Sequence, residues 1–294
     1  MKILVTGSSG FIGSRFIEMY KDVHEIVGYE RDIVTGLDWY ITHNEIDAVI
    51  HLAGVAGIPP DRQNAVEHYN VNFMATVKLL ELCAKAGIKK FVFISSSSVY
   101  GNANRPTDET ACSSSPLCHY AASKKAGELA CHTYCHMYGM EIACLRLFTV
   151  YGPGQRTQMA IPLFTRLIDE GKELSIYYAE TPSAYTGKRD YVYVNDVVDS
   201  IEASIRINKG INIYNIGSGQ SYDNYDIARM IGEAMGKEFK YEYFKLPIGY
   251  AEGTLADISK AKAMLGYSPK VDIKEGIKRF VEWYKGEQQC HIKD

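Results

Sequence analysis

No stretch of the 294-residue sequence is long and apolar enough to cross a membrane, and no block of basic residues stands out. Lys and Arg (32) are outnumbered by Asp and Glu (35), for a net charge of -3. A surface that tracks nucleic-acid phosphates normally carries a basic excess, so nucleic acid is not the expected partner. A local basic pocket for one anionic ligand stays open. Residues 1–5 are apolar but turn at once to Thr6-Gly7-Ser8-Ser9-Gly10, too short for the apolar stretch of a signal peptide. The seven cysteines are odd in number and scattered, which argues against a disulfide framework and for a cytoplasmic location. Cys131, His132, Cys135 and His136 sit close together but lack further ligands at finger-like spacing. Three residues, not two, separate the cysteines, so haem attachment is also excluded. No metal site is expected there; the segment reads as one helical face. Repeats, low-complexity tracts and long linkers are missing too.

What is present is an ordinary globular composition, 46% hydrophobic and 23% charged, on a chain long enough to bury a core without staples. Short runs rich in Val, Ile and Phe (residues 3–5, 25–28, 48–52, 91–94 and 142–148) alternate with amphipathic segments such as residues 76–83. Such runs read as strands buried on both faces of a parallel sheet, and the alternation predicts a doubly wound α/β (Rossmann) fold. Beyond Tyr151-Gly152-Pro153-Gly154 the pattern loosens into a helix near residues 161–170 and a Tyr-rich loop over 177–188. Strand-like alternation restarts at 189–194, and 211–216 reads as one more buried strand. Helices near 225–235 and 273–283 complete a smaller C-terminal domain over the sheet's carboxyl edge. The expected division is residues 1–152 and 188–216 for a dinucleotide, and 153–187 and 217–294 for the substrate.

Gly7, Gly10 and Gly13 follow the first strand and open the first helix, where Phe11 and Ile12 begin. Glycines there let the backbone approach a pyrophosphate, and the helix N-terminus adds oriented N–H groups. The next strand ends at Glu30, 17 residues past Gly13. An acid at that distance suits a ribose diol and repels a 2′-phosphate, which favours NAD over NADP. Arg31 beside it is the feature that would welcome that phosphate. Asp32 is placed to hydrogen-bond the adenine amino group, or is simply a solvated acid.

Tyr120 and Lys124 lie four apart, so on a helix the phenol and the ammonium share a face. A phenol with a pKa of about 10 becomes a useful base at neutral pH only beside positive charge. Upstream, the strand Phe91-Val92-Phe93-Ile94 runs into Ser95-Ser96-Ser97-Ser98-Val99-Tyr100-Gly101, placing hydroxyls at the carboxyl edge where ligands sit in such sheets.

The glycine loop, His51-Leu52-Ala53-Gly54, Asn72, the serine-rich strand end and the Tyr-x-x-x-Lys helix together resemble the extended short-chain dehydrogenase/reductases, the NAD-dependent epimerase/dehydratase family. Order and spacing match from residue 2 to about residue 283. The resemblance implies a nucleotide-sugar substrate, a retained NAD and a catalytic Ser96, Tyr120 and Lys124. NAD contacts are implied for Gly7, Gly10, Phe11, Ile12, Gly13, Glu30, Asp32, Leu52, Ala53, Asn72, Tyr120 and Lys124. A homodimer through residues 76–85 and 121–138 is implied as well, although those helices could serve only to cover the sheet.

Relatives that dehydrate carry an Asp-Glu pair just after the catalytic hydroxyl, and decarboxylases a Glu at the second of those positions. Here Ser97 and Ser98 stand there, so a plain redox epimerisation at C4 leads. Residues 146–156 resemble the stretch of UDP-glucuronate 4-epimerases, with Thr149 and Arg156 at matching positions. Ser97, Ser98 and Thr149 then hold a hexuronate carboxylate, or equally a neutral hexose or N-acetylhexosamine. Arg189 and Tyr191 match residues that hold the nucleotide's ribose and phosphates. The sequence departs from its relatives at Leu246-Pro247-Ile248-Gly249-Tyr250, which leaves the diphosphate to Lys245 or Arg156. A decarboxylase, a reductase and a non-catalytic dinucleotide-sensing scaffold are the other readings.

Overall fold

The computed structural model describes residues 1–30, 37, 41, 44–57, 65–178 and 187–291. Five strands form early: β1 (Lys2–Thr6), β2 (Glu25–Tyr29), β3 (Ala48–His51), β4 (Lys90–Ser96) and β5 (Glu141–Leu147). Three follow in the middle of the chain: β6 (Thr149–Tyr151), β7 (Leu174–Tyr178) and β8 (Arg189–Tyr193). The last are β9 (Ile211–Ile216), β10 (Ser221–Tyr222) and β11 (Tyr241–Lys245). The main sheet is all parallel, in the order β2-β1-β3-β4-β5-β9. Both its faces are covered, and alternate residues feed opposite cores. Ile3, Val5, Ile50 and Val92 enter one cluster, while Leu4, Val49, Phe91 and Phe93 enter the other. This is why the strands read as continuous apolar runs.

The strand order reverses at β1, whose neighbours β2 and β3 lie on opposite sides, and the carboxyl edge there opens a crevice. Among the described residues, the other strands make a three-stranded sheet, β10-β8-β6, and a pair, β11-β7. The run at Arg189–Tyr193 therefore forms as expected, but pairs outside the main sheet. Helices Ala160–Asp169, Asn224–Met235 and Ile273–His291 belong to this second region. No helix among the described residues is long and apolar enough to span a membrane.

Two local features position the site. The helical stretch before β4 is interrupted by a π-helical turn, Asn70–Met74, between Ala65–Tyr69 and Ala75–Lys85. Such a turn inserts an extra residue into the helical ladder and redirects the side chains around it. The helix His119–Tyr138 lies against β4 and β5, locked there by a buried pair. Glu128 accepts from both Nε and Nη2 of Arg146 at 2.8 and 2.7 Å, and from Ser95 Oγ at 2.7 Å. The Tyr100 ring covers the guanidinium at 4.5 Å.

Candidate active site

The crevice at the β1 edge has the shape of a pyrophosphate seat. Gly7 takes a φ of 69°, and a Cβ on it would come within 2.8 Å of Ala53 N. A Cβ on Gly13 would lie 2.2 Å from Gly7 O, so the loop closes only with glycines. The helix Phe11–Tyr20 begins at Gly10 with no side-chain cap, which leaves its first-turn N–H groups for an anion. Leu52 N donates to Thr6 O (3.1 Å) and Ala53 N to Thr6 Oγ1 (3.3 Å), fixing the opposite wall. Glu30 is exposed just past Tyr29, whose carbonyl accepts from Gly7 N. Arg31 and Asp32 lie outside the described residues. Phe11 and Ile12 pack, partly buried, against the core.

His51 ties this wall to the floor of the site. Its Nδ1 is 2.8 Å from Thr6 Oγ1 and its Nε2 2.9 Å from Thr76 Oγ1. Thr76 gives its single hydroxyl proton to Asn72 O, so the imidazole must donate from Nε2 and accept at Nδ1. Burial, then the nearby Lys124 ammonium, push its pKa down to about 3, and the ring is neutral. Asn72, set by the π-helical turn, exchanges hydrogen bonds with the Val55 backbone (2.8 and 2.9 Å) and donates to Ser123 Oγ (3.1 Å).

Ser96, Tyr120 and Lys124 converge from β4 and the His119–Tyr138 helix. The Tyr120 phenol lies near enough to Ser96 for that hydroxyl to favour its ionised form. Ser96 Oγ accepts from Ser98 N and donates to Ser98 Oγ, both at 3.1 Å. Burial holds the phenol above its ordinary pKa; the Ser96 hydroxyl and the Arg156 guanidinium pull the other way. Lys124 is buried, donates to Ile94 O at 2.8 Å and stands over the Phe93 ring at 5.3 Å. Desolvation lowers its pKa to about 8. An ammonium this readily perturbed, one helical turn from a phenol beside a serine, is a proton-handling arrangement.

The remaining expected residues fall into two groups. Arg156 donates to Ala56 O at 2.8 Å and is near enough to the Tyr120 phenol to favour its ionised form. Thr149 sits opposite Tyr191 in the β6-β8 pairing, and Ser97 and Ser98 form the turn after β4. Arg189 is deeply placed, donating to the carbonyls of Lys188 (3.0 Å) and Ala251 (2.7 Å). Tyr191 is buried against the Tyr151 ring. Lys245 ends the exposed strand β11. Of the Cys131–His136 segment, Cys131 turns inward against the Cys144 thiol while His132 and His136 face solvent, so the four do not converge.

The relatives agree with this geometry. The model of the NAD dependent epimerase/dehydratase family matches residues 3–217. A UDP-glucuronate 4-epimerase of Thermodesulfobacterium geofontis is 34% identical, over 96% of this chain and 95% of its own length. The UDP-glucuronic acid 4-epimerase of Bacillus cereus, solved with UDP-glucuronic acid and NAD, superposes with a TM-score of 0.87. It is 31% identical, over 98% of this chain and all (100%) of that one. The UDP-glucose 4-epimerase of Thermotoga maritima, solved with UDP-glucose, gives 0.90 at 27% identity and the same coverage. The chain belongs to the NAD-dependent epimerase/dehydratase family.

Membership makes the chain an NAD-dependent enzyme, and the crevice fits that cofactor: two glycines without room for a Cβ, and a helix start without a cap. Three residues at this family site escaped the sequence reading. His68 is buried with its ring 5.9 Å from that of Tyr120. Cys118 stands at the N-cap of the Tyr120 helix without a side-chain cap bond, and burial pushes its thiol pKa up. Arg105, in the loop after Tyr100-Gly101, donates to Gly253 O at 2.7 Å. None belongs to a periodic element or motif; only the folded chain brings them in.

Proposed function

We propose that the enzyme is a UDP-sugar 4-epimerase whose substrate pair is UDP-glucuronate and UDP-galacturonate. The observation that carries the hexuronate is Arg156: it is close enough to Tyr120 to stabilise the phenolate electrostatically. In a hexuronate, the C5 carboxylate neighbours the C4 hydroxyl, so a cation beside the C4 base meets it. Ser97, Ser98 and Thr149 supply hydroxyl donors around the same carboxylate. No acid stands at 97 or 98 to drive dehydration or decarboxylation.

In this reading Tyr120 takes the proton of the C4 hydroxyl and later returns one to the same oxygen. Ser96 shares the hydrogen bond to that oxygen, and Lys124 keeps positive charge beneath the phenolate as the proton arrives. NAD, when bound, supplies the reversible hydride acceptor. The 4-keto sugar between the two half-reactions rotates before reduction on its other face, and the cofactor is regenerated each cycle. Residues 1–152 and 188–216 then serve NAD, and 153–187 and 217–294 the nucleotide sugar. A second copy of the chain covers the outer face of the helices at residues 76–85 and 121–138. A cytoplasmic location suits the Cys131 and Cys144 thiols, which adjoin without a bond between them.

The test is proton NMR of UDP-glucuronate with purified protein and no added cofactor. UDP-galacturonate should accumulate to an equilibrium mixture. Turnover of UDP-glucose or UDP-N-acetylglucosamine alone would move the assignment to neutral sugars, and a pentose product would make the enzyme a decarboxylase.

A further inference from the structure

The nucleotide end of the cleft holds a guanidinium that no motif assigned. Arg105 follows the turn after β4 and spends one donor, Nε, on Gly253 O at 2.7 Å. Its Nη2 is buried and has no hydrogen-bond partner among the described residues. An unpaired buried donor costs free energy, more so when it carries charge, and a native fold keeps one only where something else completes it. Arg189 is bonded to two backbone carbonyls and to no carboxylate among the described residues.

These two cations hang from one short loop. Arg189 takes the carbonyl of Ala251 and Arg105 that of Gly253, and Arg105 is near enough to disfavour the charge of Arg189. The loop is stapled on both sides: Glu252 N to Asn102 Oδ1 (2.9 Å), Gly187 N to Glu252 O (2.7 Å) and Thr254 N to Lys188 O (2.9 Å). Cys118 is near enough to act on both Tyr120 and Tyr250, and Arg189 near enough to act on Tyr250, which puts the phenol and this loop in one neighbourhood. Residues 246–250, Leu-Pro-Ile-Gly-Tyr, add no cation to it.

We propose that Arg105 and Arg189 form a two-guanidinium clamp for the diphosphate of the nucleotide, with Arg105 the half that closes it. Two like charges side by side become favourable when a doubly charged ligand sits between them, and the planar guanidinium fork matches phosphate oxygens. Glu252 is close enough to favour the Arg105 charge and competes with the ligand for it. The inference rests on the UDP-sugar reading above.

The experiment is a ligand-observed NMR titration of the NAD-loaded enzyme with UDP and with uridine. Wild type should hold UDP far more tightly than uridine. Arg105→Gln should weaken UDP about tenfold to a hundredfold, the loss expected for a charge-assisted bond, and leave uridine within about twofold. The salt dependence of UDP binding should flatten as well. Arg105→Lys, which keeps the charge without the fork, should fall between the two, and it carries the test if the Gln variant does not fold. Glu252→Gln should leave UDP binding equal or tighter. The clamp is overturned if Arg105→Gln and Arg105→Lys both leave UDP binding intact, or weaken UDP and uridine equally. It is also overturned if Glu252→Gln weakens UDP as Arg105→Gln does, since Arg105 would then be half of a structural ion pair. A wild-type enzyme that does not distinguish UDP from uridine would instead remove the nucleotide reading itself.

Discussion

Two residues show how burial divides labour in the site. Tyr120 is held above its ordinary pKa, so the fold alone does not make it a base; Ser96, Arg156 and the bound reactants must. Tyr120→Phe keeps the ring and removes the proton carrier. Epimerisation should fall about a hundredfold to ten-thousandfold, the usual worth of a positioned acid-base group, while NAD co-purifies as before. Unchanged turnover would mean that Tyr120 is not the proton carrier. His51 works the other way, as a structural imidazole that must stay neutral. Its pKa is about 3 in the fold against 6.5 in the unfolded chain. Between those values only the unfolded state takes up the proton, so stability is full above pH 6.5 and drains away as pH falls towards 3. The loss at pH 5 is about 2 kcal/mol. Melting temperature should therefore drop from pH 7 to 5 in wild type and less steeply in His51→Gln; parallel slopes would rule His51 out. The sequence displayed Tyr120, Lys124 and Ser96 through spacing and strand-end position. It could not display His51's two threonine bonds, because Thr6 and Thr76 are 45 and 25 residues away.

At the scale of elements, the helix carrying Tyr120 and Lys124 is aimed by its next turn, where Glu128 meets Arg146. Both side chains are almost wholly buried, at 2% and 1% exposure, so neither tolerates losing its partner. Glu128→Gln should destabilise the fold by about 3 to 5 kcal/mol, because the Arg146 charge stays buried and uncompensated. The double change Glu128→Leu with Arg146→Met should recover much of that in urea denaturation, whereas additive losses would mean that packing, not charge, is at stake. The strands themselves were legible. Residues 211–216 form β9 as read, and β3 and β5 end one residue earlier than read, since a strand buried on both faces cannot hide its apolar run. The strand before the serines was read too short: β4 keeps pairing through Ser95 and Ser96, hydroxyls that satisfy themselves on Glu128 and Ser98. The π-helical turn at Asn70–Met74 left no trace in the residue pattern. Its cause is tertiary, the Asn72 side chain drawn onto the Val55 backbone.

For the whole molecule, the open question is what covers the outer face of the helices between residues 65 and 138. Val66, Met74, Leu129 and Met137 are 71%, 54%, 60% and 63% exposed, a concentration of large apolar side chains that water does not favour. Between the helices, Tyr134 donates to Glu81 at 2.9 Å and Glu81 also pairs with Lys85, so the two present one rigid surface. A second copy supplying the same surface would bury it as a four-helix layer around a two-fold axis, and a stable contact of this kind covers about 800 Å² on each partner. The purified enzyme should accordingly sediment as a dimer at micromolar concentration. Leu129→Glu combined with Met137→Glu should produce monomers, since two carboxylates per chain would have to be desolvated in the contact. Both positions lie on the solvent side of the helix that turns Tyr120, Lys124 and Glu128 inward, so the monomer should still retain NAD. It should melt lower, having lost the brace on that helix, and turn over more slowly than the dimer. A wild-type chain that sediments as a monomer would mean that these helices only cover the sheet.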